Sequence, residues 1–226
     1  MVLELGCGIS GLTALALSPL IKNYILTDQS YVQKLISQNL AQNQADTSSS
    51  KQSRKSGAKP KRGSTAKVTE NASSGEKIVF QSLDWETDQV TQELAGSQEG
   101  LDVLIACDCI YNDTLISPFV QTCVDICRLR SSHIPTHSSK SSRNEGARDS
   151  EEKGARPTIC IIAQQLRSPE VFEAWLSAFH RSFRVWRVPD KVLIPALRGG
   201  EGFVVHVGVL RDAFPPSTTS YTTINK

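Results

Sequence analysis

The sequence predicts an α/β chain built as a doubly wound sheet of seven strands that closes with an antiparallel hairpin. Two observations predict it. Short apolar runs alternate with stretches of helical spacing, the signature of parallel α/β units. The last two apolar runs are then joined by a loop and not by a helix.

The elements follow in order. Residues 2–6 form a short apolar strand ending in glycine, and residues 10–21 have helical spacing with Leu12, Leu15, Ala16 and Leu20 on one face. Tyr24 to Asp28 is the second strand, and 31–43 a helix through Val32, Leu35, Ile36 and Leu40. Ile78 to Leu83 is the third strand. Leu101 to Cys107 is the fourth, apolar throughout and therefore expected to be central. Residues 114–130 are helical, and Thr158 to Ala163 is the fifth strand. Ser168 is placed to cap a helix over Pro169 to Phe179, with Pro169 at its first position. Phe183 to Val188 and Phe203 to Leu210 form the closing pair around a glycine-containing loop at 190–202.

Two stretches, about 46–77 and 131–156, are rich in Ser, Lys, Gly and Thr with few large apolar residues, and are expected to be disordered insertions. The basic part of the first, Lys51 to Lys67, is expected to be a solvated loop, with a nuclear signal or a nucleic-acid tether as the alternative. Residues 213–226 are expected to be a flexible tail, leaving a single domain over 1–212.

The 226 residues are 39% hydrophobic and carry a formal net charge of +2, so no global field points to nucleic acid. No apolar run reaches the roughly 18 residues that span a bilayer. A cytoplasmic monomer is expected, with the nucleus as the alternative. The six cysteines lack the spacing of structural zinc sites, so half-buried reduced thiols and no metal are expected.

The sharpest local signal is Gly6-Cys7-Gly8-Ile9-Ser10-Gly11, a G-x-G-x-x-G between a strand and a helix. Its glycines permit a tight turn and close approach to a ligand. Asp28, 20 residues beyond Gly8, ends the next strand, where a carboxylate accepts ribose hydroxyls. A dinucleotide and S-adenosylmethionine both suit this arrangement. Glu4, two residues before the first glycine, faces a pyrophosphate badly and suits a ligand with a cationic amino-acid end. A nicotinamide-dependent oxidoreductase is therefore the weaker alternative.

Glu4-Leu5-Gly6-Cys7-Gly8 resembles the first motif of the class I, Rossmann-like methyltransferases. Leu83-Asp84-Trp85 and Asp108-Cys109-Ile110-Tyr111 at later strand ends resemble the family 16 protein-lysine methyltransferases of the seven-β-strand class. So do Ala163 to Ser168, Phe183 to Val188 and Gly202 to Gly208. The pattern is most similar to the fungal branch that modifies translation elongation factor 1-alpha.

The resemblance implies an S-adenosylmethionine-dependent protein-lysine N-methyltransferase with a protein substrate, elongation factor 1-alpha being the candidate. It implies that Gly6, Cys7 and Gly8 line the methionine part of the cofactor, that Asp28 holds the ribose, and that Trp85 packs near the adenine with Asp84 at its edge. Cys107 would lie beside the cofactor, and Asp108 and Tyr111 would face the incoming lysine. Members of that family carry helices and an aromatic residue before the first strand, where this sequence has Met1. The sequence is therefore expected to be N-terminally truncated and weakly active or inactive. A non-catalytic relative that keeps the fold and a small-molecule methyltransferase are also compatible with these motifs. His206 is expected to be structural.

Overall fold

The computed structural model describes residues 1–49, 77–96, 100–131 and 156–211. Among them are seven strands and four helices in an α/β fold of Rossmann-like type with antiparallel C-terminal strands, the fold class the sequence predicts. The chain divides into two compact units, 1–84 and 85–226.

In the first unit, β1 (Val2–Leu5), β2 (Tyr24–Asp28) and β3 (Ile78–Ser82) are parallel, with β2 between the other two. All four residues of β1 and the first four of β2 are buried, which is why these runs, Glu4 and Thr27 apart, are apolar without alternation. Helix α1 (Leu12–Leu17) and helix α2 (Gln33–Ser49) complete the unit.

Helix α1 departs from expectation. It has six residues instead of twelve and passes into a three-ten turn at Ser18–Leu20 with Pro19 inside. Proline and the tighter turn break the 3.6-residue period. Ala14 faces inward, while Leu12 and Leu20 lie 66% and 81% exposed. Val32, in a three-ten turn at Ser30–Val32, and Ile36 and Leu40 of helix α2 are buried as expected, while Leu35 lies outside. Helix α2 continues through Ser49, so the segment expected to be disordered from 46 begins as helix. Of the rest of both insertions only residues 77, 131 and 156 are described, and the tail lies outside the described residues.

Gly11 shows what the third glycine of the motif does. Its φ is +60°, and a Cβ there would sit 2.9 Å from Ile36 Cδ1 and 3.0 Å from Leu40 Cδ2. Both the backbone conformation and the approach of α2 require glycine.

In the second unit, β4 (Val103–Cys107) pairs in parallel with β5 (Ile159–Gln165). The last strand, β7 (Phe203–Leu210), runs antiparallel between β5 and the edge strand β6 (Phe183–Arg187). Helix α3 (Ile116–Ser131) follows β4, and α4 (Pro169–Ser182) follows β5. Ser168 Oγ accepts the Val171 N–H at 3.4 Å, the expected cap, with Pro169 in the first turn. The α4 face packs Trp175 and Phe179 in a ring stack that continues to Phe183 at 4.2 Å. Each such ring contributes roughly 1.5–3 kcal/mol by burial. Gly208 in β7 makes room for it, since a Cβ would lie 2.7 Å from Phe179 Cε1.

No described helix is long and apolar enough to cross a membrane. The described residues contain no cluster of His, Cys, Asp or Glu that could hold a metal ion. Five of the six free cysteines are buried and only Cys107 is exposed, so the thiols are mostly deep in the packing instead of half-buried.

Candidate functional site

The glycine loop of the first unit is organised by backbone hydrogen bonds. Gly6 and Gly8 take left-handed φ values of 63° and 61°, which turn the chain sharply out of β1. The Cys7 N–H donates to the Thr27 carbonyl at 3.1 Å. The Gly8 N–H donates to Asp28 Oδ2 at 2.8 Å, and the Gln29 N–H donates to Oδ1 at 2.8 Å. Asp28 therefore clamps the loop to the end of β2 through Oδ2, while Oδ1 holds the amide that follows it. A carboxylate has about four acceptor positions, so two remain for ligand hydroxyls.

A pyrophosphate site needs free N–H groups at the start of a helix. Here the Cys7 and Gly8 amides are already engaged, one of them by a carboxylate. The space beside Gly8 is open: no atom lies within 4 Å of where a Cβ would stand.

Glu4 deepens the negative character. It is 3% exposed in β1, and Tyr24 Oη donates to its Oε2 at 2.7 Å. Burial raises its pKa, and hydrogen bonds from Tyr24 and Thr13 oppose that rise. Between Glu4 and Asp28 the Cys7 thiol is pushed up to about 12, first by burial and then by the two carboxylates. Cys7 stays protonated and donates to the Gly8 carbonyl at 3.3 Å. Asp84 joins this corner through Gln29, whose Nε2 donates to Asp84 Oδ2 at 3.0 Å. The Leu83 N–H bonds the Asp28 carbonyl at 2.9 Å, bringing the end of β3 beside the end of β2.

The second unit holds the other candidates. Trp85 meets Phe119 edge-on at 5.1 Å, and its buried Nε1 has no hydrogen-bond partner. Cys107 ends β4 and is exposed. Asp108, the next residue, has φ +55°, the one described non-glycine residue with positive φ. Its amide donates to the Ala163 carbonyl at 2.8 Å. Its carboxylate accepts from Arg167 Nη2 at 2.5 Å and from the Gln165 N–H at 3.2 Å. Asp108 is thus held in a charge-assisted pair at the end of β5, and its side chain is 41% exposed. Tyr111 is 68% exposed.

The structure thus brings Glu4, Gly6, Cys7, Gly8, Asp28 and Asp84 together in one corner of the first unit. In the second unit it ties Asp108 to β5. Sequence motifs assign no role to Tyr24, Gln29, Gln165 or Arg167. Tyr24 carries a signal all the same: parallel pairing sets Glu4 opposite Leu26, so Tyr24, two residues earlier, shares the face of Glu4. Arg167 carries none, since it meets Asp108 across 59 residues. His206 is buried in the ring cluster of α4, 5.8 Å from Phe172 and 5.5 Å from Trp175, as expected of a packing residue.

Residues 64–149 match the family described as lysine methyltransferase. That span contains the Asp84-Trp85 and Asp108-to-Tyr111 motifs and excludes the glycine loop. No curated protein sequence matches the chain. Among solved structures, the chain is similar to the methyltransferase domain of bacterial CtHen1, with 12% identity, a TM-score of 0.49, and 92% of this chain and 89% of that one covered. It is also similar to a methyltransferase from Pyrococcus furiosus, with 11% identity, a TM-score of 0.45, and 93% and 74% covered. A third is the YcgJ protein of Bacillus subtilis, with 10% identity, a TM-score of 0.46, and 93% and 91% covered.

Proposed function

We propose that this chain is an S-adenosylmethionine-dependent protein-lysine N-methyltransferase that acts on a translation elongation factor. The observation that carries the cofactor is the glycine loop between two carboxylates, with its Cys7 and Gly8 amides already bonded. Such a corner repels a pyrophosphate and attracts a sulfonium and an α-ammonium. The open space at Gly8 and the remaining acceptor positions of Asp28 fit the ligand's methionine and ribose parts. When bound, S-adenosylmethionine supplies a methyl group on a sulfonium, which leaves as a neutral thioether as the N–C bond forms.

The lysine reading rests on the match over 64–149 and on the motif from Asp108 to Tyr111. In this reading the protein's own residues bind and align, because the leaving group needs little further activation. Glu4 and Asp28 hold the cationic ligand, and Gly6 and Gly8 keep the backbone clear of it. Asp108, fixed by Arg167, sets the field in which the acceptor amine arrives. The elongation factor is supported by the sequence resemblance alone.

Calorimetry with S-adenosylmethionine, S-adenosylhomocysteine, NAD and NADP tests the cofactor. Binding of the first two and not the last two is expected, and binding of NAD or NADP alone overturns the reading. Tritium transfer from S-adenosylmethionine to purified elongation factor 1-alpha tests the substrate, with label on lysine as the expected outcome. Label on another protein or on a small molecule overturns that part.

A further inference from the structure

We infer that Gln164 is the hydrogen-bond acceptor for the amine of the incoming lysine, in a narrow cavity at the end of β5. The inference rests on the methyltransferase reading and names a residue that reading does not use.

The cavity lies wholly in the second unit and has a volume of about 100 Å³. Small-molecule and cofactor sites hold roughly 300–1,000 Å³, so this one accommodates a single slender group. Ile110, Val171 and Phe172 give it apolar walls that suit a methylene stem. Tyr111, two-thirds exposed, stands at its solvent side.

The polar lining is unequal. Arg167 is committed to Asp108 and to Gln165 Oε1, and the Ser168 hydroxyl to Glu170 and the Val171 N–H. Gln164 differs. It is only 5% exposed, and its Oε1 is buried without a partner. Buried side-chain acceptors in folded proteins are nearly always bonded, so an orphan on a residue that lines a cavity marks a place for a donor.

The donor's chemistry follows. A guanidinium brings five N–H groups and needs more acceptors than one carboxamide offers. An ammonium would enter an apolar cavity without a counterion, since the Asp108 carboxylate is already paired. A neutral primary amine donates one N–H to the carbonyl and keeps its lone pair free to attack. The lysine's proton is left in water before entry.

The test uses the full chain. Side-chain amide resonances are followed by NMR during titration with Nα-acetyl-lysine methylamide, and with its norleucine counterpart as control. The Gln164 signal is assigned by its loss in Gln164→Leu. Its shift with the lysine compound and not with the norleucine compound is expected, and an unmoved signal overturns the inference. Gln164→Leu is also expected to keep S-adenosylmethionine affinity and an equal or higher Tm, because an orphaned acceptor is removed. Methyl transfer to lysine should fall more than tenfold. A lowered Tm would show a structural role for Gln164 and overturn the inference, as would undiminished transfer. Failure of the unsubstituted chain to bind S-adenosylmethionine would instead overturn the methyltransferase reading, whatever the Gln164 signal does.

Discussion

Asp28 and Asp108 both stand where a parallel strand gives way to a loop, and the two are used differently. Asp28 spends its oxygens on backbone amides of its own corner, at Gly8 and Gln29. It is part of the scaffold that shapes the glycine loop. Asp108 is held in left-handed backbone and spends one oxygen on a side chain, Arg167, in a half-exposed pair. A carboxylate bonded to backbone inside its own corner is inseparable from the fold. One paired with an exposed guanidinium can be changed at little structural cost.

The largest effect is expected at Asp28. Asp28→Ala leaves two amides without their acceptor and should cost about 2–3 kcal/mol, since hydrogen bonds to charged groups contribute about that much. S-adenosylmethionine affinity should fall at least a hundredfold. Denaturant unfolding and calorimetry measure the two effects, and an unchanged stability would contradict the clamp.

Gly11→Ala probes the same corner through packing. A left-handed position costs a residue with a Cβ about 1–2 kcal/mol. The new Cβ would also press on Ile36 and Leu40. A lowered Tm is expected, with α2 exchanging its amide hydrogens faster.

Glu4 gives a pH-dependent contrast. Burial raises its folded pKa above the ordinary value of 4.5, so the folded state holds the proton more tightly than the unfolded state. Its contribution to stability is then fully present below pH 4.5 and is lost as pH rises through the folded pKa. Glu4→Gln removes that loss. Relative to the unsubstituted chain, the variant should be more stable at about pH 7 than at about pH 4, yet bind S-adenosylmethionine more weakly. Thermal unfolding across that range checks the sign.

Asp108→Asn should change stability least, by roughly 0–1 kcal/mol, because exposed ion pairs contribute little. Asparagine also tolerates left-handed backbone. Methyl transfer should nevertheless fall more than tenfold while cofactor affinity holds. Equal loss of cofactor affinity would remove the division of roles between the two carboxylates.

Much of the fold and part of the site are legible in the sequence. The run from Glu4 to Gly11, Asp28 at the end of the next strand, and the Ser168-Pro169 start of α4 are local patterns with local causes. The true length of the first helix is not legible from apolar spacing, because Pro19 and a three-ten turn cut the period. Nor are the partners of the candidate residues. Gln29 meets Asp84 across 55 residues and Arg167 meets Asp108 across 59. No local spacing records such a meeting.

Residues a few positions apart are enough to dictate the alternation of strand and helix, the glycine turn and its acidic neighbour, so the amino-acid order alone specifies them. That β7 pairs with both β5 and β6, leaving β6 at the edge, is settled by the folded molecule. So are the aim of the Gly8 amide at Asp28, the pairing of Asp108 with Arg167, and the orphaned oxygen of Gln164. Strand order and side-chain partners depend on which surfaces are buried together, and burial is a property of the folded chain.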